Sequence, residues 1–465
     1  MISKSLMKKS GLYFIGNLSS KIMSVLLIPI YAFYITPNDL GYFDFSQTLM
    51  GVLSPIILLA IWEAILKFVL SEDNEQVKRK IITTAILFSL FTSLIITLGT
   101  IIFDVLFEFS IQYLYLILFM IVLHSLVFVW QYYSRAYGEN KLFVLSGILS
   151  TIVNFIFVIV LVVLLDLGLF GLLVSYNIGQ LTIIIIIEKK LKIIKNIKFL
   201  DFEGTILKKM LYFSSPLVLN LTSAWLISGF GRFIVTLNLG VDENGVYSFA
   251  NRFALIITTL GTVVTMAIIE EAILAVKKKG LDDNFGKTID SLFKIFQSMI
   301  ILLIPLIVVF YDIFLSDSEY YNSLLYIPGL LIFAVFNSMA SNIGSVFQAL
   351  DKTKYLFITT LLGAVVTVAV SVIFINTYGI LAVIVAQILG ALTMMFSRYI
   401  LANNFSSLKV RWSPVIIQST LFLFISFICL NSNIIITIIL EIIIIALIIF
   451  FNRKLVTKVL NKLKK

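Results

Sequence analysis

Fourteen apolar runs, each about as long as a bilayer is thick, are joined by loops whose charge alternates along the chain. Every other loop is basic. These loops hold Lys4, Lys8 and Lys9; Lys78, Arg79 and Lys80; Arg135 and Lys141; the lysines of 189–209 and 277–287; Lys352 and Lys354; Lys409 and Arg411; and the tail 453–465. The loops between them carry no Lys or Arg, only Asp39, Asp104 and Glu108, Asp166, Asp242 and Glu243, and Asp312, Asp317 and Glu319 beside neutral residues. Basic flanks are retained on the cytoplasmic side during insertion, so the pattern predicts a multi-pass protein of the cytoplasmic cell membrane with both termini inside. A chain that is 60% apolar and 13% charged agrees. The net charge of +10 sits in short loops and the tail, which suits an anionic inner leaflet and not a nucleic acid.

The spans are expected near 12–35, 41–70, 82–103, 112–133, 142–165, 168–187, 211–238, 246–276, 288–311, 322–349, 355–375, 379–401, 413–430 and 434–451. Residues 1–10 are a short basic stretch followed by a run long enough to span, so no cleavable signal is expected. Cys429 is the sole cysteine and lies in an apolar run, where it reads as an inert buried thiol.

The chain repeats itself. The turn Pro37-Asn38-Asp39-Leu40-Gly41-Tyr42-Phe43-Asp44-Phe45-Ser46-Gln47 returns roughly 204 residues later as Val241-Asp242-Glu243-Asn244-Gly245-Val246-Tyr247-Ser248-Phe249-Ala250-Asn251. Gly41 thus matches Gly245 and Gln47 matches Asn251. Arg135 to Lys141 echoes Gln348 to Lys354, and Gly168, Gly171, Ser175 and Gly179 echo Gly379, Ala382, Ala386 and Gly390, small residues that let helices approach closely. Six spans is an even number, so the halves share an orientation and are expected to be related by an axis along the membrane normal. The expected architecture is all-α: a six-helix bundle at 1–187, a cytoplasmic linker at 188–210, a second six-helix bundle at 211–402, and a C-terminal helix pair with a basic tail at 403–465.

Ionisable residues at membrane depth are costly and mark cavities or partners. The cations Lys21, Arg232 and Arg252 are candidates for binding an anion, with ion pairs to Asp44, Glu63 or Asp242 as the structural alternative. Arginine suits phosphate because its planar fork donates two parallel hydrogen bonds and stays charged. Glu63 and Lys67 are spaced to pair on one helix face. The repeat maps Lys67 onto Glu271, so these two could close the cytoplasmic side across the pseudo-axis; Asp44, Glu270 and Lys294 complete the candidate cavity or gate residues. Lys294 and Arg398 are expected to snorkel to the interface, and His124 to serve as a helix-packing donor or a proton relay. The repeated turn adds Asp39, Gly41, Gln47, Gly245 and Asn251 to the candidate site residues. Prolines 29, 55, 216, 305 and 328 mark kinks or hinges. No phosphate-binding Gly-rich loop, metal-ligand motif or soluble catalytic domain appears, so the expectation is a transporter without cofactor, not an enzyme.

The basic N-terminus, the phrase Pro37-Asn38-Asp39-Leu40-Gly41-Tyr42-Phe43 after span one, and the six-plus-six plan resemble the polysaccharide-biosynthesis flippases (O-antigen, Wzx type) of the multidrug/oligosaccharidyl-lipid/polysaccharide exporter superfamily. The resemblance covers nearly the whole chain. It implies export of undecaprenyl-diphosphate-linked oligosaccharide by alternating access through a cationic central cavity, with membrane lipids as partners and H+ or Na+ as a coupling ion. Many members have twelve spans; the extra pair here is shared with the lipid II flippases. Two alternatives stay open. A lipid II flippase would use the same diphosphate chemistry, and a multidrug/cation antiporter would rely on Asp44, Glu63, Glu270 and Glu271 instead.

Overall fold

The structure is a computed structural model that describes residues 26–108, 111–278, 283–350, 352–405 and 410–451. Every regular element among the described residues is helical. Hydrocarbon offers the backbone no hydrogen bonds, so apolar runs of this length satisfy their N–H and C=O groups internally. By length and composition ten helices are able to cross a membrane, or eleven if one bent pair is a single span. The chain is a multi-pass membrane protein. Three of the fourteen expected spans make the difference. Span one lies mostly outside the described residues, as do several side chains of span eight, and the described apolar part of span fourteen is short.

Contacts divide the chain into residues 1–248 and 249–465. The first unit holds α1 (Ile28–Tyr34), α2 (Pro37–Ile57), α3 (Ile61–Leu70), α4 (Glu75–Phe107), α5 (Leu114–Ala136), α6 (Asn140–Val158, running on as a wider turn over Ile159–Leu164) and α7 (Gly168–Leu191). It also takes in α8 (Gly204–Ser228), α9 (Phe230–Leu239) and the first turns of α10 (Val241–Lys278). Helices α8 and α9, which the sequence repeat places in the second half, therefore lie with the first unit. The start of α2 is built as the sequence suggests: Pro37 occupies its first turn, and Thr36 Oγ1 accepts from the Asp39 amide at 3.2 Å. Expected span two is broken. Leu59 and Ala60, four and five residues after Pro55, take left-handed conformations, and α2 meets α3 at 53°. The core beneath the bend is Leu58, Ile61, Trp62, Ile65, Ala85, Val129 and Trp130.

The linker is stapled to the start of α4. Arg79 Nε lies 2.8 Å from Asp201 Oδ2, Lys80 Nζ lies 3.1 Å from Glu203 Oε2, and the Glu203 amide donates to Thr84 Oγ1 at 3.1 Å. The Thr205 hydroxyl and the Lys80 ammonium hold the exposed Glu203 carboxyl below the usual carboxylate range.

The second unit continues α10 and adds α11 (Asp283–Phe314), α12 (Ile327–Ala349), α13 (Thr353–Tyr378), α14 (Ile380–Asn403), α15 (Trp412–Asn431) and α16 (Ile434–Phe451). Its most enclosed helix is α12, buried on nearly every side from Leu330 to Phe347.

The repeat seen in the sequence is present in the contacts. Gly179 of α7 packs on the backbone of Ser150 and on Asn154 of α6, while Gly390 of α14 packs on Gly363 and Thr367 of α13, the same partners one repeat later. The two copies of the repeated turn also touch. A Cβ on Gly41 would strike the carbonyl oxygen of Val241, and one on Gly245 would strike the carbonyl oxygen of Pro37. Pro37 and Val241 are themselves repeat equivalents and the first residues of α2 and α10, so the contact is reciprocal. Asn244 Nδ2 adds a hydrogen bond to the Gly41 carbonyl at 3.0 Å.

Overpacking usually costs about 1–3 kcal/mol, and a rigid backbone carbonyl places Gly41→Ala and Gly245→Ala at or above the upper end. Each is expected to lower the unfolding temperature of the purified protein in detergent, whereas Gly99→Ala in α4, where a Cβ meets nothing within 4 Å, is expected to leave it unchanged or raise it. Equal behaviour of the three variants would show that the reciprocal contact contributes nothing.

Candidate functional site

Asp44 and Arg232 form the charged centre of the first unit. Asp44 stands on α2 one turn beyond the Gly41 contact, with its side chain 7% exposed; Arg232 stands on α9, 20% exposed. Arg232 Nε lies 3.2 Å from Asp44 Oδ2, an ion pair in which neither atom completes a hydrogen bond. Sequence reasoning had offered either an anion site or this pair, and the structure forms the pair.

The position of Arg232 follows from the break between α8 and α9. The Gly229 amide bonds the Trp225 carbonyl at 2.6 Å, and the Trp225 indole lies where a Gly229 side chain would stand. Trp225 Nε1 then donates to the Thr48 carbonyl on α2 at 3.0 Å. Phe233, one residue after Arg232, stacks on Phe45, one residue after Asp44, with ring centroids 6.0 Å apart. Trp225, Phe45 and Phe233 therefore clamp α9 to α2 and hold the charges face to face.

The remaining sequence candidates are dispersed. Asp39 Oδ2 accepts from the Leu169 amide at 3.1 Å and so anchors the first turn of α7. Gln47 and Asn251 are half-buried. Glu63 does not pair with Lys67. It accepts from Tyr132 Oη on α5 at 2.9 Å, and the Arg135 guanidinium lies over the Tyr132 ring at 4.8 Å. Lys67, exposed in the last turn of α3, sets its ammonium over the Phe213 ring of α8 at 3.8 Å. α3 starts only at Ile61, so Glu63 is in its first turn facing α5 while Lys67 leans out towards α8. Lys21 lies outside the described residues, as do the side chains of Glu270 and Glu271, and with them the expected Lys67–Glu271 gate. His124 packs, as one of its two readings had it: its Nδ1 is 3.3 Å from Gln180 Oε1 and its ring is edge-on to Phe128.

In the second unit Arg252 is half-buried on α10, and Lys294 is exposed on α11. Arg398 departs from expectation. It does not snorkel; it is 6% exposed and gives Nε to Thr359 Oγ1 at 3.1 Å, Nη1 to the Ala340 carbonyl at 2.8 Å and Nη2 to Thr360 Oγ1 at 2.9 Å. The cation is thereby tied to α12 and α13 through neutral acceptors. The adjacent hydroxyls of Thr359 and Thr360, at depth in an apolar run, were the available signal. Asp290, to which the sequence assigned no role, is buried on α11, accepts from the Arg411 amide at 2.9 Å and from Arg411 Nε at 3.0 Å, and pins the start of α15.

The sequence profile of the family described as "Polysaccharide biosynthesis protein" matches residues 6–269, more than half of the chain. The chain belongs to this family. A comparison with curated proteins finds no match. Among solved structures it is similar to a multidrug resistance MATE family transporter of the MOP superfamily in an inward-facing conformation, with a TM-score of 0.68 and 17% identity over 84% of this chain and 98% of that one. It is similar also to the lipid II flippase MurJ in an inward closed conformation, with a TM-score of 0.65 and 17% identity over 97% of this chain and 100% of that one. An outward-facing MATE family transporter of the same superfamily gives 0.58 at 15% identity, over 86% and 95% of the two chains. At such identities the likeness is one of fold. A share of 97% leaves too few residues to omit α15 and α16, so the MurJ likeness extends to the terminal helix pair.

The ion pair is measurable by a double-mutant cycle. Asp44→Asn or Arg232→Gln alone leaves one charge unanswered in a desolvated place, and the two changes together remove both charges. The coupling energy from thermal unfolding in detergent is expected to be about 1–3 kcal/mol, the double variant being more stable than the sum of the singles allows. Additive effects would show the two groups to be energetically independent.

Proposed function

We propose that the chain translocates a polyprenyl-diphosphate-linked oligosaccharide, an undecaprenyl-diphosphate-linked repeat unit, from the inner to the outer leaflet of the cytoplasmic membrane by alternating access through a cationic cavity. The observation that carries this reading is the state of Arg232. Its guanidinium answers a single carboxylate at ion-pair distance and makes no hydrogen bond among the described residues, so its donor fork remains unspent at membrane depth. A diphosphate must shed water to cross a region of low dielectric, and an arginine fork offsets that loss with charge-assisted bonds. Membership of the polysaccharide biosynthesis family supports the substrate class. Arg252 in the second unit and Lys21 are proposed as further phosphate contacts, each on its own account, with Asp44 as the internal anion that Arg232 answers when substrate is absent. Glu63, Lys67, Glu270, Glu271 and Lys294 are proposed as accessory charges of the path. The coupling ion is proposed to be H+ or Na+.

A second reading, a lipid II flippase, is favoured by the likeness to MurJ over nearly the whole chain, the terminal helix pair included. It keeps the diphosphate chemistry and changes the sugar.

Export of surface polysaccharide in cells lacking their own flippase tests both the function and the residues. The neutral double variant Asp44→Asn/Arg232→Gln, which removes the folding penalty of a lone charge, is expected to reach the membrane at normal level and export at least about tenfold less polymer, and Arg232→Lys to restore export only in part because a point charge replaces the fork. Arg252→Gln is expected to behave likewise. Normal polymer from the double variant and from Arg252→Gln would remove both arginines from the substrate path.

Orientation is tested separately by thiol labelling in a Cys429→Ser background. Glu243→Cys, exposed at the start of α10, is expected to react in intact cells, and Leu200→Cys, 98% exposed in the linker, only after permeabilisation. The opposite pattern would invert the proposed topology.

A further inference from the structure

Among the apolar residues of α16 stands one charged side chain, Glu441, seven residues from the helix start and so about 10 Å into an 18-residue helix. It is 7% exposed, and neither Oε1 nor Oε2 has a hydrogen-bond partner among the described residues. α16 packs against α11 and α15, and among the described residues neither helix places a cation within ion-pair distance of it. On α15 the titratable neighbour is Cys429, itself 1% exposed. On α11 Asp290 is bonded to Arg411, Asp312 accepts from Tyr321, Lys287 is engaged elsewhere, and Lys294 is exposed.

The same three helices hold two further buried oxygens without donors, Gln297 Oε1 and Gln418 Oε1. Gln297 spends its amide on Ser419 Oγ at 2.8 Å and has no second way to satisfy its carbonyl. Among the described residues the Glu441 carboxyl thus has neither a hydrogen-bond partner nor a countercharge. An ionised carboxylate with neither hydrogen bonds nor a countercharge is strongly disfavoured away from water, so the form that fits this place is the neutral acid.

We propose that Glu441 is a membrane-embedded proton-binding site, carried by the terminal helix pair outside the twelve-span repeat. The carboxylate takes a proton when it is enclosed among α11, α15 and α16 and returns it when that enclosure opens to water, which makes the proton the coupling ion. The binding step stands on the geometry alone; the coupling step rests on the transport reading above.

The binding step is tested with the full-length protein in phospholipid vesicles, using dicyclohexylcarbodiimide as the probe. A protonated carboxyl in an apolar setting adds across the carbodiimide and rearranges to a stable N-acylurea, which mass spectrometry assigns to a residue. Glu441 is expected to be modified at neutral pH, to lose at least about tenfold of that modification in strongly alkaline buffer, and to resist a water-soluble carbodiimide throughout. The peptide containing Glu441→Gln is expected to carry no adduct. An unmodified Glu441 peptide at neutral and acid pH, or equal modification by the water-soluble reagent, would overturn the site.

The coupling step is read in the export assay. Glu441→Gln, a neutral isostere that keeps the bulk of the side chain, is expected to reach the membrane and lose export, and Glu441→Asp to retain a measurable share. Export at the wild-type level by Glu441→Gln would overturn coupling through this residue. Failure of the transport reading itself shows differently, as a wild-type chain that restores no polymer, and the labelling result then still decides the site.

Discussion

The first unit depends on two helix N-termini brought closer than any side chain allows. Gly41 and Gly245 each lie against the backbone of the other's helix start, and from that contact the rest of the candidate site is positioned by helix geometry. One turn further along α2 comes Asp44, and the next residue, Phe45, meets Phe233 of α9. α9 leads into α10 through Gly240, whose φ of 104° lets the chain reverse at the turn where Val241 begins. The Arg232–Asp44 distance is therefore fixed by contacts at both ends of α9: the glycine pair at one, the Trp225 bond to Thr48 at the other. A site held in this way preserves its geometry without any hydrogen bond between the charges themselves.

This arrangement has an electrostatic consequence. A lone arginine at membrane depth is expensive, and a fully bonded Arg–Asp pair has no capacity left for a ligand. The observed pair lies between these extremes. The carboxylate offsets most of the guanidinium charge, while the absence of directed hydrogen bonds leaves the donors uncommitted. On the proposed reading, an incoming diphosphate would compete with one carboxylate for one cation and bring more negative charge and more acceptor oxygens. Arg398 shows the contrasting solution in the second unit. Its donors are consumed by two hydroxyls and a carbonyl, so it binds α14 to α12 and α13 and has little left to offer.

Helical class, most span positions and the internal repeat were legible in the sequence because each rests on a strong local rule: hydrocarbon thickness, and glycine where backbones approach. The equivalence of Gly41 and Gly245 was read from spacing, and its meaning emerged only when Val241 and Pro37 were found opposite them. The bend at Leu59 and Ala60 was not legible. Neither residue favours the left-handed region, which costs roughly 1–2 kcal/mol per residue, and only the burial of Leu58, Ile61 and Trp62 on either side offsets it. Pro55 signalled a disturbance without its size. Glu63 and Lys67 were misjudged for a related reason: a four-residue spacing predicts a pair only when no better partner stands nearby, and here Tyr132 and Phe213 are better placed. Arg398 lay near a span end, and distance from an end says nothing about whether a neighbouring helix covers the residue.

The two acids packed between α11 and the terminal helix pair separate structural from functional burial. Asp290 meets both a backbone amide and a guanidinium of Arg411, so its charge is answered and its effect is to fix α15 in place. Glu441, on the next helix of the same hairpin, meets neither. An apolar residue of similar size would fill that volume without the cost of enclosing a carboxyl, and nothing in the packing of α16 requires a charge there. Helix α15 is already secured by Asp290, by Gln297 with Ser419 and by Trp412 against Phe293, Phe396 and Tyr399. A group that adds nothing to attachment and is unfavourable in its charged form is best explained by what changes when it is neutral. For a carboxyl in the middle of a membrane helix, that change is the gain or loss of one proton.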